Sequence, residues 1–260
     1  MAITITGTGA NTKTVSGNTH TIQFTGGTNT ISINVDCTLY VIAVGGGGSG
    51  GNAANGMGGG GGGGGGYGVW TFDYTANTSY TVFVGNSAGN SAGITSAGAN
   101  TTFITMTSGI GIIATGGAVG AMATINTSNT TTANGGTCTL DTNAPGTLIS
   151  KNGGNGAGVT SQGYAGYGTN SDGIITVLGI DYIYGGGGSS GTNFYNGDNL
   201  YGGLPGKDGI GATSVSTSQS AGTAATTIGS GGGGGNANIV TERKYGGGGM
   251  KGIVIVTFVY

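Results

Sequence analysis

Charge is what this chain has least of. Six Lys and Arg, eight Asp and Glu and one His are spread over 260 residues, leaving a net charge of −2. Disordered chains are polar and highly charged, so a content of 5% charged residues excludes disorder throughout. Phosphate binding needs clustered cations, and the richest cluster is Arg243-Lys244, which argues against a nucleic-acid partner. Apolar runs fall far short of the roughly 20 residues of a membrane helix, so no membrane insertion is expected. Proline occurs only twice, and no Gly-x-y repeat is sustained, which excludes collagen. The good helix formers Glu, Lys and Leu are scarce, so almost no α-helix is expected. Residues 1–7 carry neither a basic segment nor an apolar core with a small-residue cleavage site, and synthesis in a host cytoplasm without a secretory signal is the expectation. Cys37 and Cys138 have no metal-ligand spacing. They read as buried free thiols in a reducing compartment, with a late disulfide as the alternative.

Reactive side chains are equally thin. Any Ser-His-Asp or Cys-His relay would depend on His20, which sits in a polar segment and reads as a surface or turn residue. Asp73, Asp141, Asp172, Asp181, Asp198 and Asp208 are isolated, and no pair has the spacing of a calcium loop. Matches to G-x-G-x-x-G are accidents of composition, and Gly206-Lys207 is followed by Asp208 rather than Ser or Thr, so it is not a phosphate loop. No catalytic residue, metal ligand or cofactor is assigned, and the chain is expected not to be an enzyme. Asn-x-Ser/Thr triplets at Asn77, Asn100, Asn126 and Asn129 are expected by chance in a chain this rich in Asn and Thr.

What the chain has is glycine: 66 residues, gathered in runs at 45–48, 58–66, 185–188, 231–235 and 246–249. Between the runs lie strand-type segments, notably residues 38–44, 67–72, 79–84, 101–106, 111–114 and 253–260. Residues 2–36 alternate Thr with Ile and Val, the period of half-buried antiparallel strands, with turns at Ser16-Gly17-Asn18 and Gly26-Gly27. From 153 to 211 glycines repeatedly fall three apart, as at Gly153 and Gly156 or Gly203, Gly206 and Gly209. That period places one face of an extended three-residue-per-turn helix wholly in glycine, so neighbouring backbones can approach and exchange amide hydrogen bonds as in polyglycine II. A flexible linker is a second reading for 58–66 alone. The C-terminal strand is long and apolar, and unless it lies inside the fold it is an edge that invites pairing. The expectation is one all-β domain over 1–260, a β-sandwich with a polyglycine II bundle: an opening meander at 1–44, glycine-rich layers and strands at 45–252, and a closing strand at 253–260.

The order of these elements carries a resemblance. Leu39-Tyr40-Val41-Ile42-Ala43-Val44 running into Gly45-Gly46-Gly47-Gly48, then Tyr80-Thr81-Val82-Phe83-Val84-Gly85, Ile112-Ile113-Ala114-Thr115-Gly116-Gly117 and Gly246-Gly247-Gly248-Gly249-Met250-Lys251-Gly252-Ile253-Val254-Ile255-Val256 together resemble the glycine-rich domain of viral structural proteins. Such domains occur in phage tail-fibre proteins and tip adhesins and in virion proteins of large DNA viruses. The resemblance implies a β-sandwich with layered polyglycine II helices and a place at a virion surface, either structural or in attachment to host glycans or proteins. Residues 120–180, rich in Thr and Asn, depart from the pattern and read as a distal loop or an insertion. The implied partners are other virion proteins, further copies of the chain, and a host-cell receptor or glycan. Two rivals stand beside a virion structural role: a dedicated tail-fibre tip adhesin, and a free extracellular structural or ice-binding protein.

One concentration of side chains invites a recognition role. Tyr164, Tyr167, Tyr182, Tyr184, Tyr195 and Tyr201, with Phe194, gather half of the twelve tyrosines among Gly, Asn and Asp. Tyrosine on polar loops supplies contact area at low entropic cost, and its ring face suits sugars. The same rings could instead be packing lids over layers that have no side chains of their own. Trp70, in a strand, is expected in the core.

Overall fold

Residue alternation builds two sheets that face each other. The computed structural model describes residues 1–54, 57–89, 95–123, 131–159, 167–188, 221–235 and 243–260. Its strands are β1 (Ile3–Gly7), β2 (Asn11–Ser16), β3 (Thr19–Phe24), β4 (Gly27–Ile33), β5 (Cys37–Val44), β6 (Ala53–Ala54), β7 (Tyr67–Tyr74) and β8 (Ser79–Val84), followed by β9 (Thr101–Thr105), β10 (Gly111–Ala114), β11 (Cys138–Leu140), β12 (Thr147–Lys151), β13 (Ile175–Val177), β14 (Ile180–Tyr182), β15 (Arg243–Lys244) and β16 (Ile253–Val259). One six-stranded sheet has the order β1-β4-β8-β9-β10-β11 and the other β12-β7-β5-β16-β3-β2. The fold is all-β, and the described residues contain no α-helix.

The two sheets bury a common core. In β4, Asn29, Ile31 and Ile33 point inward while Thr28, Thr30 and Ser32 alternate outward. Across the gap stand Leu39 and Val41 of β5, Trp70, Phe72 and Tyr74 of β7, and Val254, Val256 and Phe258 of β16. Trp70 is fully buried, and its indole Nε1 donates to the Pro145 carbonyl at 2.7 Å, so the ring's one polar atom is satisfied. The Tyr74 hydroxyl accepts the Ile33 amide at 2.8 Å and so ties β7 of one sheet to β4 of the other. β16 lies between β5 and β3, paired on both sides, and is therefore no open edge. Its sheet is also buried on its other face, where Ile42, Val44, Tyr67, Val69, Ile253 and Ile255 are covered by Ile175 and Val177 of the β13–β14 hairpin. Double burial explains why 41–44 and 253–256 read as continuous apolar runs rather than alternation.

Beyond the sheets the strands run on as glycine rods. Residues 45–52 continue β5, and residues 58–66 lead back into β7. Gly45, Gly48 and Gly51 donate to the carbonyls of Gly66, Gly63 and Gly60; Gly46 and Ser49 donate to Ala99 and Ser96; Gly47 and Gly50 donate to Met250 and Gly247, all at 2.7–3.0 Å. Successive residues thus face three different neighbours, which is the three-fold geometry of polyglycine II. The return rod does the same, with Gly60, Gly63 and Gly66 bonded to Ala121, Ala118 and Thr115, Gly61 and Gly64 to Ala157 and Gly154, and Gly59, Gly62 and Gly65 to Gly235, Gly232 and Gly229. Both rods are buried along their whole length. A Cβ placed on Gly48, Gly51, Gly62 or Gly65 would come closer than 3.0 Å to a neighbouring carbonyl oxygen. The linker reading of 58–66 fails for this reason: each amide in 59–66 is held by another rod.

Two further expectations are corrected. His20 is not a surface or turn residue but is buried, because it shares the inward face of β3 with Ile22 and Phe24. Its ring stacks on Phe258, with centroids 5.2 Å apart and planes 9° from parallel. The described part of 120–180 is not a distal loop, for it supplies β11 and β12, most of the β13–β14 hairpin, and rods in which Ala118 donates to Asn134 and Gly153 to Gly136. Cys37 and Cys138 are both free, the first half-buried and the second buried. Burial pushes the Cys138 thiol up to about 12.

Candidate functional site

The outer face of the β2–β3–β16 region is built from short hydroxyl side chains. Antiparallel register sets Thr14 opposite Thr21 and Thr21 opposite Thr257, one row across three strands. Ser16 and Thr19 form the next pair on that face. Neighbouring strands are about 4.8 Å apart, so the hydroxyls stand in a regular grid. The β13–β14 hairpin overhangs it, and a cleft of about 280 Å³ opens between them. Thr14, Ser16, Thr19, Thr21 and Thr257 form its floor, and Val177, Leu178, Ile180 and Tyr182 form its wall.

Each part of the cleft is held by local structure. Ile175 and Val177 anchor the hairpin in the second core, while on its outward side the Thr176 hydroxyl donates to the Asp181 carboxylate at 2.7 Å. The turn places Leu178 at φ 49° and Gly179 at φ 79°, the paired left-handed residues of a tight two-residue hairpin loop. Glycine takes this conformation freely, whereas Leu178 carries a cost of about 1–2 kcal/mol. On the floor, the Thr21 and Thr257 hydroxyls lie 3.4 Å apart and bond to each other, which orients both. The lining contains no charged residue.

The structure divides the tyrosine-rich segment. Tyr164, Phe194, Tyr195 and Tyr201 lie outside the described residues. Tyr167 is 69% exposed. Tyr182 and Tyr184 are half-buried and pack on the second core, their rings 6.3 Å apart, and Tyr184 meets Tyr67 edge-on at 5.9 Å. Burial, with Tyr182 beside it, pushes the Tyr184 hydroxyl up to about 12. Tyr182 is therefore both a lid over apolar surface and one wall of the cleft. The threonines of the floor were not singled out from sequence. Thr-x-Thr alternation in 12–14 and 19–21 is visible there, but the register that brings Thr257 beside Thr21 joins the two ends of the chain.

Among the described residues, no group of three or more His, Cys, Asp or Glu could hold a metal ion. No described helix is long and apolar enough to cross a membrane. Comparison with curated proteins finds no match to the chain. A glycine-rich domain family matches over residues 6–259, and the strands and glycine rods that the match spans place this chain in that family.

Proposed function

We propose that this chain is a non-enzymatic structural component of a virion surface, associated with a capsid or fibre, that also takes part in host attachment. The observation that carries the reading is the pair of buried rods at 45–52 and 58–66, bonded to neighbours on three sides through backbone alone. Such an interior gives stiffness without charges or long side chains, which suits repeated contacts between copies or with other virion proteins, where unpaired charges are costly to bury. The order of strands and glycine runs, which resembles that of viral glycine-rich domains, supports the same reading. The test is immunogold labelling of intact particles purified from the source of the sequence, with antibody raised against the purified full-length chain. Gold on the outside of particles is the expected result, and label found only on material that sediments apart from particles would overturn it.

A dedicated receptor-binding adhesin is the second reading, favoured by the uncharged cleft and the exposed ring of Tyr167. Saturable binding of the full-length chain to intact host cells supports it. A monodisperse oligomer by light scattering that leaves host cells unlabelled supports the purely structural role.

A further inference from the structure

We propose that the cleft between the β13–β14 hairpin and the β2–β3–β16 floor binds a neutral saccharide. The inference rests on the attachment role above and assigns that role a ligand class and a place in the fold.

The chemistry of the lining selects the ligand. Five aliphatic hydroxyls and one phenol can each donate and accept, which is what sugar hydroxyls require of a partner. Among the described residues, the hydroxyls of Thr14, Ser16, Thr19 and Tyr182 have no hydrogen-bond partner in the protein, so they are available to a ligand. A sialic or uronic acid would bring a carboxylate to a lining without a cation, and an amino sugar would bring an ammonium to a lining without an anion. Neutral sugars avoid both costs. The opposite wall suits the other side of a pyranose, because Val177, Leu178, Ile180 and the Tyr182 ring offer apolar surface to its C–H face. A peptide is a poorer match to the floor, since β3 and β16 spend their main-chain groups on strand pairing, the edge of β2 that is unpaired among the described residues lies at the rim of the sheet, and the floor presents only side-chain hydroxyls.

Size and rigidity agree with that choice. A cleft of about 280 Å³ is at the small end of ligand pockets and has room for one or two sugar rings. Its floor is a paired sheet with an apolar core beneath it, and Thr257 is only 6% exposed, so the grid is formed before a ligand arrives.

The experiment uses the full-length chain, titrated with glucose, galactose, mannose and their N-acetyl derivatives and followed by ligand-observed NMR. Sialyllactose and glucuronic acid are the charged comparators. Two variants on the same face of β2 are made in parallel: Thr14→Arg, which projects a long side chain into the cleft, and Thr12→Arg, which lies outside its lining. Both positions are exposed, so folding should be unaffected, and unchanged thermal melts verify this. The expected result is saturable binding of at least one neutral sugar that weakens by roughly tenfold or more in Thr14→Arg and stays unchanged in Thr12→Arg. Failure of every neutral sugar to bind, preference for a charged comparator, or binding that survives Thr14→Arg would overturn the proposal. Host-cell binding by both variants separates the two levels. If it persists in Thr14→Arg, attachment stands and the cleft is not its site; if the unaltered chain binds no cells, the attachment role itself fails.

Discussion

The sandwich and the glycine bundle both exclude water, and they do it with opposite materials. Between the sheets the interior consists of side chains, with Trp70, Phe24, Phe103 and Phe258 fully buried among Ile, Leu and Val. In the bundle it consists of backbone, with Gly48, Gly51, Gly62 and Gly65 seated against carbonyl oxygens of neighbouring rods. The first is stabilised by apolar area removed from water, roughly 25 cal/mol per Å². The second has little such area and depends on saturating its amides, each hydrogen bond contributing about 1 kcal/mol net against a high entropic cost of ordering glycine. Removing atoms should therefore damage one region, and adding atoms the other.

The largest effect is expected from Phe103→Ala, which deletes a ring stacked on Tyr80 at 4.7 Å and should cost about 3–5 kcal/mol. Its mirror image is Gly62→Ala, which adds one methyl group inside contact distance of the Gly48 carbonyl. With backbone on all sides the neighbours cannot turn away, and the loss should be about 3 kcal/mol, at the upper end for overpacking. Urea denaturation of both variants checks the pair. If Gly62→Ala cost less than about 0.5 kcal/mol, as an ordinary surface change does, the backbone-packed interior would be refuted.

Smaller effects sharpen the contrast at single hydrogen bonds. Tyr74→Phe removes the hydroxyl that accepts the Ile33 amide and donates to the Thr78 carbonyl, leaving a buried N–H without its side-chain acceptor, a loss of about 1–3 kcal/mol. Ser49→Ala should cost nearer 1 kcal/mol. Its Oγ accepts the Ser96 amide at 3.0 Å, but the bond from the Ser49 amide to the Ser96 carbonyl survives the substitution. Amide hydrogen exchange should show faster exchange at Ser96 with the rest of the bundle unchanged.

The difference between the regions also governs what could be read from sequence. Period-two alternation of Thr and Ile revealed strands such as β4, which has one wetter and one dry face, and glycine runs revealed the rods at 45–52 and 58–66. Of the glycines three apart, Gly153 and Gly156 both donate to the single neighbouring rod at 133–136, while Gly163, Gly166, Gly191, Gly203, Gly206 and Gly209 lie outside the described residues. Residues 38–44 and 253–259 were recognisable as strands, yet their near-continuous apolar character did not say which element covers the second face. That element is the β13–β14 hairpin, whose short strands contribute only Ile175 and Val177 to the contact. Strand β12 was missed, since residues 147–151 form an edge strand beside β7 with a largely exposed pattern, and little burial leaves little signal. The cleft was half legible. Tyr182 was singled out through its neighbours in sequence, whereas Thr21 and Thr257 meet through a pairing between opposite ends of the chain that no local pattern encodes.

His20 gives the smallest predicted effect and bears on the sandwich alone. Burial, the Lys13 ammonium and the amino terminus hold its imidazole below the ordinary value of 6.5. Its ring contacts are Phe258 and Tyr260, and Nδ1 has no hydrogen-bond partner, so nothing in these contacts favours the protonated form. The unfolded chain therefore binds a proton more readily than the folded one. Stability is full above 6.5 and falls as the pH drops from there through the lower folded value, levelling once both states are protonated. As this is the only histidine, no other side chain of ordinary pKa titrates between about pH 7 and pH 5, where carboxylates are still ionised. The urea midpoint should fall modestly between those two pH values, while His20→Phe, which keeps a stacking ring and removes the titration, should show no such fall. An equal fall in both proteins would mean that the imidazole does not govern stability in this range, and that its burial at the end of β3 carries no penalty for charge.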